Sequence, residues 1–222
     1  MQGILWVCWN IFLAVLPVCF AGLLMMVVET FRKKGRKCPW FVWLPIGVCW
    51  LAFLPNSCYL LTEWRHFLFQ GLPYAQQMYG GRDTKIFILQ DGLFFLFYSL
   101  VGCLCFGLAI RMVERLVRKA GGRPALWAAP LFFLVSLGVY LGLVIRLNSW
   151  HIVTQPGNVL QITLHTLQNV LLVKAILVFA VLLFLLYEAV DTFLDGLALR
   201  LHRHHIHVPF LHSGRPSRDA AA

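Results

Sequence analysis

The polar side chains with the clearest chemical spacing lie in the segment FLPNSCYLLTEWRH, at residues 53–66. At about 100° per residue on a helix, several of them fall within one arc of roughly 80°. The members of this arc are Asn56, Tyr59, Glu63 and His66, and Thr62 lies beside it. Glu63 and His66 are candidate acid and base groups, and their E-x-x-H spacing is also found in helices that bind two metal ions. Only one copy of the motif is present in the sequence, so no metal site is predicted.

A second candidate is the carboxyl group of Asp91, which lies about six residues, or roughly 9 Å, inside a later apolar run. An ionised Asp near the middle of a membrane costs roughly 2.5–3.5 kcal/mol on insertion scales. A partner, a wet cavity or protonation must offset that cost. Asp91 is therefore either a functional group or a member of a structural hydrogen bond or ion pair.

A third cluster follows another apolar run, in the segment RLNSWH at residues 146–151. Arg146 is expected to pair with Asp91 or Glu63, or to hold an anionic group of a ligand. The binding candidates beside it are Asn148, Ser149, Trp150 and His151. If these stretches reach the same side of a membrane, they form one polar site with the arc of residues 56–66.

Five apolar runs must position these groups. The chain has 222 residues and is 60% hydrophobic, with a mean hydropathy of +0.76. A globular average is nearer 45–50% apolar, so the excess apolar surface requires lipid. The predicted fold is an all-α polytopic membrane helix bundle with one short outer interfacial helix around 158–170. The predicted spans are approximately 4–28, 40–61, 86–110, 125–145 and 171–194.

The positions of the basic residues predict the orientation of the bundle. Of 19 Lys and Arg residues, 14 lie after the first and third spans or in the C-terminal tail, and 5 lie on the opposite side. The positive-inside rule then puts the N-terminus outside and the C-terminus in the cytoplasm. Residues 1–195 are predicted to form a single transmembrane domain, and 196–222 a basic, His-rich cytoplasmic tail. The net charge of +10 resides in loops and the tail without a basic stripe, so nucleic-acid binding is not predicted.

Further patterns indicate packing more than chemistry. Gly138 and Gly142 form a G-x-x-x-G pair that would admit a close helix neighbour, which the sequence does not identify. An acidic face at the inner end of the fifth span is expected to pair with the basic loops. Its members are Glu188, Asp191 and Asp195. The histidines of the tail are consistent with metal binding or with a basic surface segment.

The polar motifs resemble those of a bacterial multi-pass membrane family called domain of unknown function 1361. Its first motif matches Pro55, Asn56, Tyr59, Thr62 and His66, with Glu63 in place of an Asp. Asp91 matches the acidic position in the next span, and Arg146, Asn148, Ser149, Trp150 and Pro156 match the third motif. His151 stands where the family has Asp. The resemblance, over about residues 40–195, implies a bacterial cytoplasmic membrane and supports the location of the site without defining its chemistry.

Three functions are compatible with this pattern. The first is an outer-facing binding or transport-related module. The second is a membrane-embedded enzyme acting on a lipid-linked or envelope substrate, with Glu63, His66 or Asp91 as acid and base. The third is an assembly protein whose polar cluster is structural. The predicted partner is the lipid bilayer, and the sequence identifies neither a ligand nor a cofactor.

Overall fold

The computed structural model describes residues 2–64, 67–78, 81–147 and 150–203, and within these ranges all regular structure is helical. A π-helical turn at Phe67–Gly71 precedes the short helix that begins at Leu72. The helices are α1 (Gln2–Lys33), α2 (Trp40–Thr62), α3 (Leu72–Met78), α4 (Gly81–Lys119), α5 (Ala125–Leu143), α6 (His151–Thr154), α7 (Pro156–Gln168) and α8 (Val170–Arg203).

In the described ranges, five helices are long and apolar enough to cross a membrane, namely α1, α2, α4, α5 and α8. Inside lipid the backbone must satisfy its own hydrogen bonds, which a continuous helix does. Large apolar side chains are exposed along these helices, for example Leu171 at 76% and Leu126 at 71%. The chain is therefore a multi-pass membrane protein, and the all-α prediction is confirmed.

The long helices extend beyond the predicted spans. α4 runs from Gly81 to Lys119, so the basic residues 111–119 lie in a helix and not in the expected loop. α8 continues to Arg203, and Ala198 is buried, so packed structure reaches into the segment assigned to the tail. Apolarity alone locates the lipid-embedded part of a helix, whereas the helix itself continues as long as its backbone bonds and contacts persist.

The connections also contain helices. The polar connection 62–85, between the second and third predicted spans, contains the π-helical turn, α3 and the first turn of α4 in its described part. Polarity between two spans therefore does not indicate irregular structure here. The short helix expected around 158–170 is present as α7, Pro156–Gln168, with Pro156 in its first turn.

The five long helices form a ring in the order α1, α2, α5, α8 and α4, with α2 also in contact with α4. The core between them is closely packed around Leu54, Cys58, Phe106 and Val135, all 0% exposed. α1 and α5 pack on two sides of α2 and make few contacts with each other. A gap between α1 and α5 is thus left over one face of α2.

A buried ion network joins α4 to α8 at the end of the bundle that carries the basic loops. Arg111, only 2% exposed, donates to the carboxylates of Asp191 and Asp195 and to the backbone carbonyl of Asp191 at 3.2 Å. Nearby, Glu114 accepts hydrogen bonds from Arg118 and Tyr187. The predicted pairing of the α8 acidic face with basic residues is confirmed for Asp191 and Asp195.

Candidate functional site

The polar face of α2 forms the floor of the candidate site. Asn56 is 6% exposed and follows Pro55, which the helix accommodates without ending. The hydroxyl of Ser57 donates to the carbonyl oxygen of Ala14 at 2.9 Å and holds α1 against α2. Asn56 therefore lies at a fixed depth beside α1, facing the gap between α1 and α5.

The end of α2 is fixed on α4 by the residue that follows Glu63. The indole N–H of Trp64 donates to the hydroxyl of Ser99 at 2.8 Å, and that hydroxyl is 3.3 Å from the carbonyl oxygen of Leu60. The backbone at Glu63 is thereby held beside α4, and the Oε2 atom of Glu63 is buried.

Two glycines allow α5 to approach α2 closely. The hydroxyl of Tyr59 donates to the carbonyl oxygen of Gly138 at 3.3 Å. A Cβ atom at Gly138 would lie 2.6 Å from Pro55 Cγ, and one at Gly142 would lie 1.6 Å from Tyr59 Oη. The two glycines of the G-x-x-x-G pair thus face α2 of the same chain, and Tyr59 occupies the groove that they leave.

Arg146 follows α5 in an uncommon backbone conformation. Its φ is 63°, in the left-handed region, and it is the only non-glycine residue with positive φ in the described ranges. The next N–H, from Leu147, donates to the carbonyl oxygen of Leu141 at 3.0 Å and closes the end of the helix. An Arg in this conformation costs about 1–2 kcal/mol relative to a Gly.

These elements enclose a cavity of about 320 Å³, which we call the α1–α2–α5 cavity. Its lining combines polar groups with three indole rings and a few aliphatic side chains. The polar members are Asn10, Asn56, Tyr59, Glu63 and Arg146, and the indole rings belong to Trp6, Trp9 and Trp150. One cavity thus offers an amide, a phenol, a carboxyl group and a guanidinium group, with amphipathic aromatic rings around them.

The structure brings together five of the predicted site residues and leaves others apart. Asn56, Tyr59, Glu63, Arg146 and Trp150 line the α1–α2–α5 cavity. His66, Asn148 and Ser149 lie outside the described residues.

Three further predicted site residues do not line this cavity. Thr62 bonds back to the carbonyl oxygen of Tyr59 at 2.8 Å. His151 begins α6, with its ring 6.1 Å from that of Trp150. Asp91 is half-buried on α4 and forms no ion pair with Arg146, so the predicted Asp91–Arg146 pair does not form.

The wall that α1 contributes was not predicted. Trp6, Trp9, Asn10 and Leu13 line the cavity at i, i+3, i+4 and i+7, which is one face of a helix. That spacing, with the lone polar residue Asn10 in an apolar run, was the available signal. It was overlooked because the run was interpreted only as a membrane span.

The polar side chains of the cavity suit a polar or anionic group. Among the described residues, no group of three His, Cys, Asp or Glu side chains is placed to hold a metal ion. Arg146 suits an anionic group, since guanidinium pairs with phosphate or carboxylate in two parallel hydrogen bonds. Asn56 and Glu63 suit hydroxyl or amine donors of the same ligand.

Comparison with known proteins identifies one family. A family model described as "Protein of unknown function (DUF1361)" matches residues 9–186, most of the chain. The match begins within α1 and includes part of the α1 wall of the cavity. No curated protein and no solved structure matches the chain significantly.

Proposed function

The chain belongs to the DUF1361 family, and we propose that it binds the polar head group of an amphipathic molecule in the α1–α2–α5 cavity. The ligand class is a lipid-linked compound whose head group carries an anion and hydrogen-bond donors. The observation that carries the proposal is the position of the cavity, in a gap between two membrane helices, with Asn56, Glu63 and Arg146 inside it.

The shape of the cavity favours a ligand entering from the bilayer. α1 and α5 flank the opening, and the exposed faces of Trp6 and Trp9, at 40% and 52%, border it. Trp is the side chain enriched where lipid head groups meet acyl chains. An acyl or prenyl chain can therefore remain in lipid while the head group occupies the cavity.

The region beneath the cavity argues against a transport pathway. Ala14, Leu54, Cys58 and Val139 lie below or beside its floor and are at most 2% exposed. A solute would have to cross this packed core to reach the basic end. The cavity of about 320 Å³ beside Asn56, Glu63 and Arg146 leaves room for a ligand, which a purely structural cluster would not need.

The orientation is part of the proposal. The distribution of Lys and Arg supports an N-terminus outside, a cytoplasmic C-terminal tail at 196–222, and a cavity at the outer leaflet. The family resemblance supports a bacterial cytoplasmic membrane.

Site-specific photocrosslinking in cells tests the proposal and identifies the ligand in the same step. A diazirine amino acid at Leu143, on the cavity wall, should capture an amphiphile that mass spectrometry identifies by its head group. Adding Arg146→Gln should reduce that product by at least about tenfold, through loss of a charge-assisted contact.

The control position is Leu126, on α5 and exposed to lipid at the basic end. There the products should reflect bulk lipid and be insensitive to Arg146→Gln. Identical product mixtures at Leu143 and Leu126 would contradict the proposal. Lys174→Gln removes an equal charge on the same side and should leave the Leu143 product unchanged, since Lys174 does not line the cavity.

A second candidate is an enzyme acting on the same class of ligand. Glu63 supports it, because a carboxyl group with a buried oxygen beside an anion-binding Arg can transfer a proton to or from a substrate. Glu63→Gln distinguishes the two functions. An enzyme should accumulate unreacted substrate in the Leu143 crosslink, whereas a binding protein should show the wild-type compound at altered yield.

A further inference from the structure

A second, larger cavity lies at the opposite end of the bundle. It measures about 620 Å³ and is enclosed by α1, α4, the start of α2 and the connection between α1 and α2. Its volume lies within the range of roughly 300–1,000 Å³ that is usual for small-molecule sites. We call it the basic-end cavity.

The walls of the basic-end cavity are apolar. Leu24 and Leu116 are buried at its inner side, at 7% and 9% exposure, and valines of α1 and α4 continue the wall. Trp43, at 41% exposure, borders the cavity near the start of α2. Such walls favour a hydrocarbon chain, whereas a free polar solute gains nothing from them.

The rim of the basic-end cavity is strongly basic. Arg32, Arg36 and Lys37 line it and are exposed. In the part of the chain that the structure describes, none of these three forms an ion pair, whereas Lys119 is paired with Glu29. Three exposed cations thus border the mouth of an apolar cavity, at the end of α1 and in the connection to α2.

We propose that the basic-end cavity binds an anionic phospholipid. One acyl chain packs against the walls formed by α1 and α4, and the phosphate lies at the rim among Arg32, Arg36 and Lys37. Charge complementarity selects an anionic over a zwitterionic head group, and the apolar walls select a lipid over a free phosphate. This site shares no residue with the α1–α2–α5 cavity and does not depend on the function proposed for it.

Native mass spectrometry of the delipidated full chain tests the selectivity. Phosphatidylglycerol should bind at least about tenfold more tightly than phosphatidylcholine with the same acyl chains, since each basic side chain near an anionic surface contributes roughly fivefold. The triple variant Arg32→Gln, Arg36→Gln, Lys37→Gln should lose this preference. Equal affinity of the wild type for the two lipids would overturn the proposal.

A matched variant separates a site from general electrostatics. Lys33→Gln, Lys34→Gln, Arg123→Gln removes the same charge from exposed residues near this end that do not line the cavity, and it should retain the preference. An equal loss in both triple variants would show that net charge, and no defined site, attracts the lipid.

Cys38 provides a local readout, because its half-buried thiol lines the same cavity. Alkylation by N-ethylmaleimide, followed at the Cys38 peptide, should be slowed severalfold by phosphatidylglycerol and not by phosphatidylcholine. Glycerol phosphate, which has the head group without the chains, should not protect Cys38. Equal protection by glycerol phosphate would overturn the assignment of a lipid.

Discussion

Arg146 combines an unfavourable backbone with a useful side chain. Glycine adopts positive φ at no steric cost, whereas any residue with a Cβ atom is strained there. At φ 63° the guanidinium group is carried to the mouth of the α1–α2–α5 cavity just as α5 ends. Strain of this kind is typical of functional positions, where contact with a ligand offsets the cost in stability.

Two substitutions at Arg146 distinguish the effect of backbone strain on stability from the effect of the guanidinium group on ligand binding. Arg146→Gly should be more stable than Arg146→Ala by about 1 kcal/mol, because alanine retains the strained Cβ and glycine does not. Both variants lack the guanidinium group and should lose the head-group product at Leu143 equally. Thermal unfolding in detergent gives the first comparison, and equal stability of the two variants would show that position 146 is not strained.

At the residue scale, helical spacing places Asn56, Tyr59 and Glu63 on one face of α2, but it does not identify which other helices lie beside them. The arc of Asn56, Tyr59 and Glu63 depends only on helical spacing, which is local. The pairing of Asp91 with Arg146 depended on which helices are neighbours, and spacing carries no such information. α4 contacts α1, α2 and α8, whereas Arg146 follows α5 and lies beside α1 and α2.

Among the elements, the contact between α2 and α5 is the one that shapes the site. Gly142→Ala should lower stability by about 1–3 kcal/mol, the usual cost of overpacking. The new methyl group would lie 1.6 Å from Tyr59 Oη and would force Tyr59 away from the Gly138 carbonyl oxygen. The free energy of unfolding in mixed detergent measures the effect.

Gly47→Ala is the matched control for this substitution. Gly47 also lies within a helix, but a Cβ atom added there would have no neighbour within 4 Å outside its own helix backbone. The change should be neutral or stabilising by roughly 0.5–1 kcal/mol, because alanine is the better helix former. If Gly142→Ala behaved like Gly47→Ala, α5 would not be held against Tyr59.

A second inter-element contact joins α4 to α8 through Arg111. Arg111→Met should cost about 3–5 kcal/mol, because it removes the ion-pair partner of the buried carboxyl group of Asp191. Replacing both partners, as Arg111→Met with Asp191→Leu, should cost less than Arg111→Met alone. Melting temperatures of the single and double variants provide the comparison, and additive losses would mean that the two groups do not interact.

For the whole molecule, the alternation of basic and non-basic connections predicts a topology. Reporter fusions at Lys34 and Lys119 should be cytoplasmic, and a fusion at Gln155 should be external. The reason is that Lys and Arg are retained on the cytoplasmic side during insertion. An external reporter at Lys119 would contradict the five-span arrangement and the assignment of the α1–α2–α5 cavity to the outer leaflet.

The overall architecture could be predicted from the sequence, because long apolar runs with few charges almost always form membrane helices. The ends of α4 and α8 were harder to predict from the sequence, because Arg111 and Asp191 interrupt the apolar pattern. Inside the bundle these two residues form an ion pair. The ring order of the helices, and hence both cavities, required packing information that hydropathy does not contain.

The Arg111–Asp191 contact also constrains how the protein is made. Asp191 follows Arg111 by 80 residues, so at roughly 5–20 residues per second α4 is synthesised about 4–16 s before its counter-charge. During that interval Arg111 lacks the carboxylates of α8, and its long side chain can extend toward the aqueous boundary. α8 is the last helix in the described part of the chain, and its synthesis supplies the carboxylates of Asp191 and Asp195 that bind Arg111. A ribosome stalled between the two residues would therefore leave a chain in which the ion contact between α4 and α8 has not yet formed.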